Sequence, residues 1–154
     1  MQRALKKSFV DLDELYHNTL GSISIKCGST CVMVLIVGAH IFCANVGDSR
    51  AVLSRKGTAV NLSYDHKASR PDEVARINKN DGIIEFSRVG GRLAVTRAFG
   101  DFEFKYQIDS SKGGIKIRKN LVISEPEVRM YTFDPSEDEF IVLASDGLFD
   151  MFKS

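Results

Sequence analysis

Leu5, Phe9, Leu12, Tyr16 and Leu20 recur by threes and fours, a spacing that draws one apolar stripe along an amphipathic helix from about Gln2 to Leu20. Gly21 to Ser29 reads as a turn-rich link. Cys31-Val32-Met33-Val34-Leu35-Ile36-Val37 is short, rich in β-branched residues and apolar at both parities. That pattern predicts a strand covered on both faces, placed at the centre of a sheet. After Gly38-Ala39-His40 comes Ile41 to Val46, ended by Gly47-Asp48. Ala51-Val52-Leu53 and Ala59-Val60-Asn61-Leu62 then flank the Arg55-Lys56-Gly57 turn, and the whole stretch predicts an antiparallel meander.

Further on, Pro71 stands where a helix would begin, Asp72 and Glu73 follow it at the positive end of the helix dipole, and Gly82 lies beyond the far end. These signals predict a helix over Pro71 to Asn80. The run Ile83 to Arg88, the Gly90-Gly91 turn and Leu93-Ala94-Val95 read as a hairpin leading into Thr96-Arg97-Ala98-Phe99-Gly100-Asp101. Tyr106 to Asn120 shows no period and contains Ser110-Ser111-Lys112-Gly113-Gly114, so it is expected to be a mobile surface loop. Leu121 to Ser124, Val128 to Phe133 and Phe140 to Ser145 are expected strands, the last interrupted by Asp146-Gly147.

A content of 44% hydrophobic and 27% charged residues excludes a disordered or fibrous chain and points to one globular domain or part of one. With 21 Lys and Arg against 20 Asp and Glu, the net charge of +1 offers nothing to draw nucleic acid or an anionic membrane. The longest apolar run is too short to span a bilayer, and the first residues lack the apolar stretch of a secretory signal; an intracellular protein, cytoplasmic or nuclear, is expected. Cys27, Cys31 and Cys43 are odd in number and lie in or beside apolar segments, which suits small buried thiols better than a structural zinc site. His17 falls in the first helix, His40 in a turn and His66 in a polar stretch, none beside a nucleophile.

Candidate chemistry gathers where apolar strands end in acid. Val46-Gly47-Asp48 and Ala144-Ser145-Asp146-Gly147 share this form, and a carboxylate at the tip of a rigid strand keeps a fixed position for a hard cation. Leaving so apolar a strand, Asp146 needs a metal, an arginine or backbone amides to offset desolvation. Asp150 follows Asp146 by four residues, so a helical turn starting at Asp146 would bring both carboxylates to one side. Each aspartate taken singly also fits a plainer role: Asp48 as partner of Arg50, Asp146 as the cap of the helix after it, Asp-Gly as a turn pair. Asp65-His66-Lys67 reads as a solvated turn that helps anchor the adjacent flap, and Thr96-Arg97 as structural hydrogen-bond donors.

An ordered set of motifs changes the weight of these readings. Gly28-Ser29-Thr30, Asn45-Val46-Gly47-Asp48-Ser49-Arg50, Asp65-His66-Lys67, Leu93 to Asp101, Ser124-Glu125-Pro126-Glu127 and Leu143 to Asp150 together resemble the PPM family of metal-dependent serine/threonine protein phosphatases. Each motif is weak alone; in this order they are specific. The resemblance implies an α+β fold, an antiparallel β-sandwich flanked by helices. It also implies Mg²⁺ or Mn²⁺ as cofactor, in a binuclear centre plus a weaker additional site. Asp146 matches a ligand of the pair, and Asp48 and Asp150 with Asp146 match the cluster that holds the weaker ion. The stretch from His66 to Asp81 matches the flap beside the catalytic cleft. Phosphorylated protein substrates are the implied partners, with no nucleic acid, no membrane and a monomeric state.

The resemblance also sets out what the chain lacks. Residues 1–154 are expected to be a partial domain, incomplete at both ends. Upstream, the family has a phosphate-binding arginine and an Asp-Gly-His-Gly segment; downstream, it has an Asp-Asn pair. No catalytic acid or base of the family therefore falls within this chain, which alone is expected to be inactive. Ala68 stands for the usual proline and Thr96 for the commoner serine. Three readings stay open: a phosphatase seen in part, a non-catalytic regulatory or scaffold module, and a truncated product whose unpaired strand edges leave it no stable fold.

Overall fold

The computed structural model describes residues 1–109 and 115–152. In chain order its elements are α1 (Gln2–Leu20), α2 (Ile23–Lys26), β1 (Gly28–Ser29), β2 (Cys31–Val37), β3 (His40–Val46), β4 (Arg50–Arg55), β5 (Thr58–Asn61) and α3 (Pro71–Lys79). There follow β6 (Ile84–Glu85), β7 (Arg88–Val89), β8 (Phe99–Gly100), β9 (Tyr106–Asp109), β10 (Ile115–Arg118), β11 (Glu127–Thr132), β12 (Asp138–Ala144) and α4 (Asp146–Phe149). The expected α+β sandwich is present. Two antiparallel three-stranded sheets, ordered β11-β3-β2 and β12-β4-β5, close on a core of Ile41, Cys43, Ala51, Leu53 and Leu62. Tyr131 on β11 reaches across and donates to the Asn61 carbonyl at 2.9 Å, joining one sheet to the other.

The apolar stripe of α1 holds only in its first half. Leu5 and Phe9 are buried, and Phe9 packs with Ala44 and Val46 on the outer face of the β11-β3-β2 sheet. The next buried position is Asp13, while Leu12 is 51% exposed. Asp13 takes that place because the buried Lys105 ammonium lies 2.6 Å from it and the Gly100 N–H donates to it at 2.8 Å. An ion pair here continues the contact that an apolar stripe began.

The meander divides in two. β2 pairs with β3 and β4 with β5, but β3 and β4 lie in different sheets, and Gly47-Asp48-Ser49 carries the chain across. Gly47 has φ +99, and a side chain there would run into the Thr30 methyl, so the crossing needs glycine. β2 is an edge strand of its sheet rather than a central one; β3 has partners on both sides. Apolar residues at both parities of β2 report two covered faces, the sandwich interior at Val32 and Val34 and the α1 side at Cys31 and Met33.

Other expectations are corrected in the same way. The link after α1 contains the short α2 and β1. α3 ends at Lys79, with Asn80 as its cap. The hairpin turn falls at Phe86-Ser87, both with positive φ, while Gly90-Gly91 forms a second bend closed by a Val89–Leu93 bridge. Tyr106 to Asn120 is not a featureless loop, because β9 and β10 pair within it; Ser110 to Gly114 lie outside the described residues. Leu121 to Ser124 makes only a bridge from Ile123 to Arg97. Of the thiols, Cys43 is buried, Cys31 half-buried and Cys27 exposed. His40 opens β3. No helix among the described residues is long and apolar enough to cross a membrane.

Candidate functional site

One end of the sandwich collects the acids. Ala144 pairs with Arg50, and Glu127 with Asn45, so the chain leaving β12 runs past the start of β4 beside the Gly47–Asp48 crossing. Asp48 is buried there, 8% exposed. Asp146 is the first residue of α4, behind Ser145 as cap, and Asp150 closes the turn with its N–H donating to the Asp146 carbonyl at 2.7 Å. The helical turn foreseen from the four-residue spacing is present. Asp146 is thus not the cap residue itself.

Lys67 stands between the acids. Its ammonium is 3.6 Å from Asp48 and 3.9 Å from Asp150. Burial raises the Asp48 carboxyl above the usual aspartate range, Lys67 pulls it down, and Asp146 pushes it up again. Asp48 and Asp146 therefore feel each other's charge. The proposed pairing of Asp48 with Arg50 does not occur. Arg50 instead makes a two-pronged contact with Asp65, 3.0 Å at each prong, and lies over the Phe149 ring. Among the described residues, no three His, Cys, Asp or Glu side chains converge closely enough to hold a metal ion.

The Asp65-His66-Lys67 turn is not solvated. Asp65 is committed to Arg50, Lys67 faces Asp48 and Asp150, and His66 is fully buried. The roles of His66 and Lys67 were missed because a charged triplet between strands has the composition of an exposed turn. The only signal for them was the place of Asp65-His66-Lys67 in the ordered motifs.

A second cluster fastens the flap. Glu73 on α3 is 1% exposed. Its Oε1 accepts from Arg97 Nε and Nη2 at 3.0 and 2.6 Å, and its Oε2 accepts from the Thr96 hydroxyl and Arg76. Burial works to raise this carboxyl, but the Arg97 and Thr96 hydrogen bonds and the Arg97 and Arg76 charges outweigh it, bringing it down to about 2. The structural reading of Thr96 and Arg97 is the observed one.

A protein phosphatase 2C family model matches residues 1–154. The chain belongs to the protein phosphatase 2C family. It is 45% identical over 152 residues to protein phosphatase 2C homolog 2 of Schizosaccharomyces pombe, a match covering 98% of this chain and 40% of that protein. With homolog 3 of the same yeast it shares 42% identity over 147 residues, 96% of this chain and 34% of the relative. Among solved structures, a C. elegans sex-determining protein superposes with a TM-score of 0.82 at 27% identity, over 99% of this chain and 35% of that one. A serine-threonine phosphatase 2C from Toxoplasma gondii gives 0.81 over 99% of this chain and 52% of its own, and at 21% identity it shows the shared fold. The chain spans 40% or less of the two yeast relatives. The PPM-type motifs of this phosphatase 2C chain thus sit on the phosphatase 2C fold, with Asp48, Asp146 and Asp150 at one end of it.

Proposed function

We propose that the whole protein is a metal-dependent protein serine/threonine phosphatase that acts as an intracellular monomer on phosphorylated protein substrates. The observation that carries this reading is the acidic end of the sandwich, where Asp48 and Asp150 flank one ammonium and Asp146 raises the Asp48 carboxyl. Carboxylate oxygens are the donors that Mg²⁺ and Mn²⁺ take, so the chemistry of the set fits these ions. The set is partial, and the remaining ligands and the proton donor would come from outside residues 1–154. Asp146 would serve the tightly held pair of ions, and Asp48 and Asp150 with it a looser one. When bound, such ions lower the pKa of a water for attack on phosphorus and neutralise phosphoryl oxygens.

The chain's own residues do the holding. β12 ends in α4, which fixes Asp146 and sets Asp150 one turn beyond it. Arg50 fastens the Asp65 turn to the start of β4, and Glu73 fastens α3 to Thr96 and Arg97. The test is phosphate release from a phosphothreonine peptide by the whole protein, titrated with Mn²⁺. Asp146→Asn is expected to lower kcat/KM at limiting Mn²⁺ about 100-fold or more, several kcal/mol of transition-state stabilisation. Unchanged activity would sink the assignment of Asp146. A wild-type protein that releases no phosphate with Mn²⁺ would favour the non-catalytic module.

A further inference from the structure

His66 is a fully buried imidazole with neighbours on both ring nitrogens. Nδ1 lies 3.2 Å from the Gly47 N–H and equally 3.2 Å from the Gly47 carbonyl. That carbonyl already accepts from the His66 N–H at 3.0 Å and from Asn45 Nδ2 at 3.1 Å. Nε2 faces Glu127 Oε2 at 3.6 Å, and Glu127 also receives Arg70 at 2.7 Å and Arg129 at 2.8 Å. A carboxylate opposite Nε2 calls for a proton on that nitrogen, which leaves the Nδ1 lone pair for the Gly47 N–H. The His66 carbonyl is held in turn by the Thr96 N–H at 2.9 Å and the Thr96 hydroxyl at 3.1 Å. A buried polar ring carries a desolvation cost that an aliphatic side chain of similar size would avoid, and here its bonds end on the peptide just before Asp48.

We propose that His66 is a positioning residue for the metal site, whose Nδ1 holds the Gly47 N–H while Nε2–H is directed at Glu127, fixing the crossing that aims Asp48. This rests on the phosphatase reading only in taking Asp48 as a metal ligand. The hydrogen bond from His66 is the leading influence that keeps the Glu127 carboxyl below its ordinary value, ahead of those from Arg129 and Arg70. Groups that orient metal ligands without touching the ion are typically worth about 10- to 100-fold in metal affinity.

The experiment compares His66→Leu and His66→Asn in the whole protein by Mn²⁺ calorimetry and by the Mn²⁺ dependence of phosphate release. His66→Leu should weaken the looser Mn²⁺ site about tenfold while kcat at saturating Mn²⁺ stays within about threefold. His66→Asn keeps an acceptor for the Gly47 N–H and should recover most of that affinity. Nitrogen-15 NMR of the wild-type ring should show Nε2 protonated and Nδ1 bare. Wild-type Mn²⁺ affinity in the Leu variant, equal losses in both variants, or a proton on Nδ1 would each overturn the proposal. If His66→Leu does not fold, the Asn variant and the ring spectrum still decide it. Wild-type protein that binds Mn²⁺ but releases no phosphate would end the phosphatase reading, and calorimetry would still decide the role of His66.

Discussion

Glu73 and Asp48 are both buried aspartate or glutamate side chains of one folded unit, yet their surroundings are opposite. Around Glu73, one carboxylate meets two guanidiniums and a hydroxyl, and its pKa falls to about 2. Around Asp48, the nearest cation is an ammonium 3.6 Å away that it shares with Asp150, and its carboxyl is raised. The first cluster is electrically complete. The second carries acid beyond what Lys67 offsets. Buried charge is tolerated where partners satisfy it, so the closed cluster reads as scaffold and the open one as a seat for something positive.

The largest expected effect lies on the closed side. Glu73→Leu removes the carboxylate and leaves the guanidiniums of Arg97 and Arg76 without their buried partner, at a cost of about 3–5 kcal/mol of stability, to be read by urea unfolding near neutral pH. The pH dependence has a definite sign. The folded value of about 2 lies below the model value of 4.5, so Glu73 contributes fully above about pH 4.5 and loses its contribution as pH falls toward about 2. The gap between wild type and variant should therefore narrow in that window. A gap that stays constant on acidification would mean Glu73 is not held ionised by its partners, and the contrast with Asp48 would collapse.

On the open side the same kind of change should act in the opposite direction. Asp48→Asn in metal-free protein removes a buried charge that one distant ammonium only partly offsets, and stability is expected to rise by about 1 kcal/mol. The thermal midpoint in the presence of EDTA measures it. A fall in midpoint would show that Asp48 is held as firmly as Glu73 and that the site is structural.

Much of the scaffold was legible in the sequence, for reasons that differ by element. α1 and α3 announce themselves by threes-and-fours spacing and by Pro71 with its two acids, and both ends agree with the structure within a residue. Single-face patterns carry no information about hydrogen-bonding neighbours, which is why β2 looked central although it is an edge strand. The β6–β7 turn was hidden because Phe86 and Ser87 adopt positive φ without being glycine or asparagine. The β9–β10 hairpin was overlooked because its short strands flank a Ser- and Gly-rich stretch whose composition dominates the reading. For the site, acid at the end of an apolar strand was a sound guide to Asp48 and Asp146 meeting at one end. What remained out of view was the partner: a lysine in a polar triplet gives no sign that it will stand between two aspartates, nor a histidine that it will lie beneath them.

That lysine gives the smallest and most discriminating prediction. Lys67 is 40% exposed at its side chain, and both of its ion-pair distances exceed hydrogen-bonding range, so it contributes little to stability. Its charge nonetheless occupies the space that a cation would share with Asp48 and Asp150. Lys67→Met keeps the stem and removes the charge, so Mn²⁺ at the looser site should bind about threefold more tightly at low ionic strength. The gain should shrink as salt is raised, since half-exposed charges are screened over about 10 Å at 0.1 M. Weaker Mn²⁺ binding in this variant would reverse the reading, because it would mean that Lys67 braces Asp48 as Arg97 braces Glu73. The acidic end would then be a second closed cluster, and the distinction between scaffold and seat would have to be drawn elsewhere in the molecule.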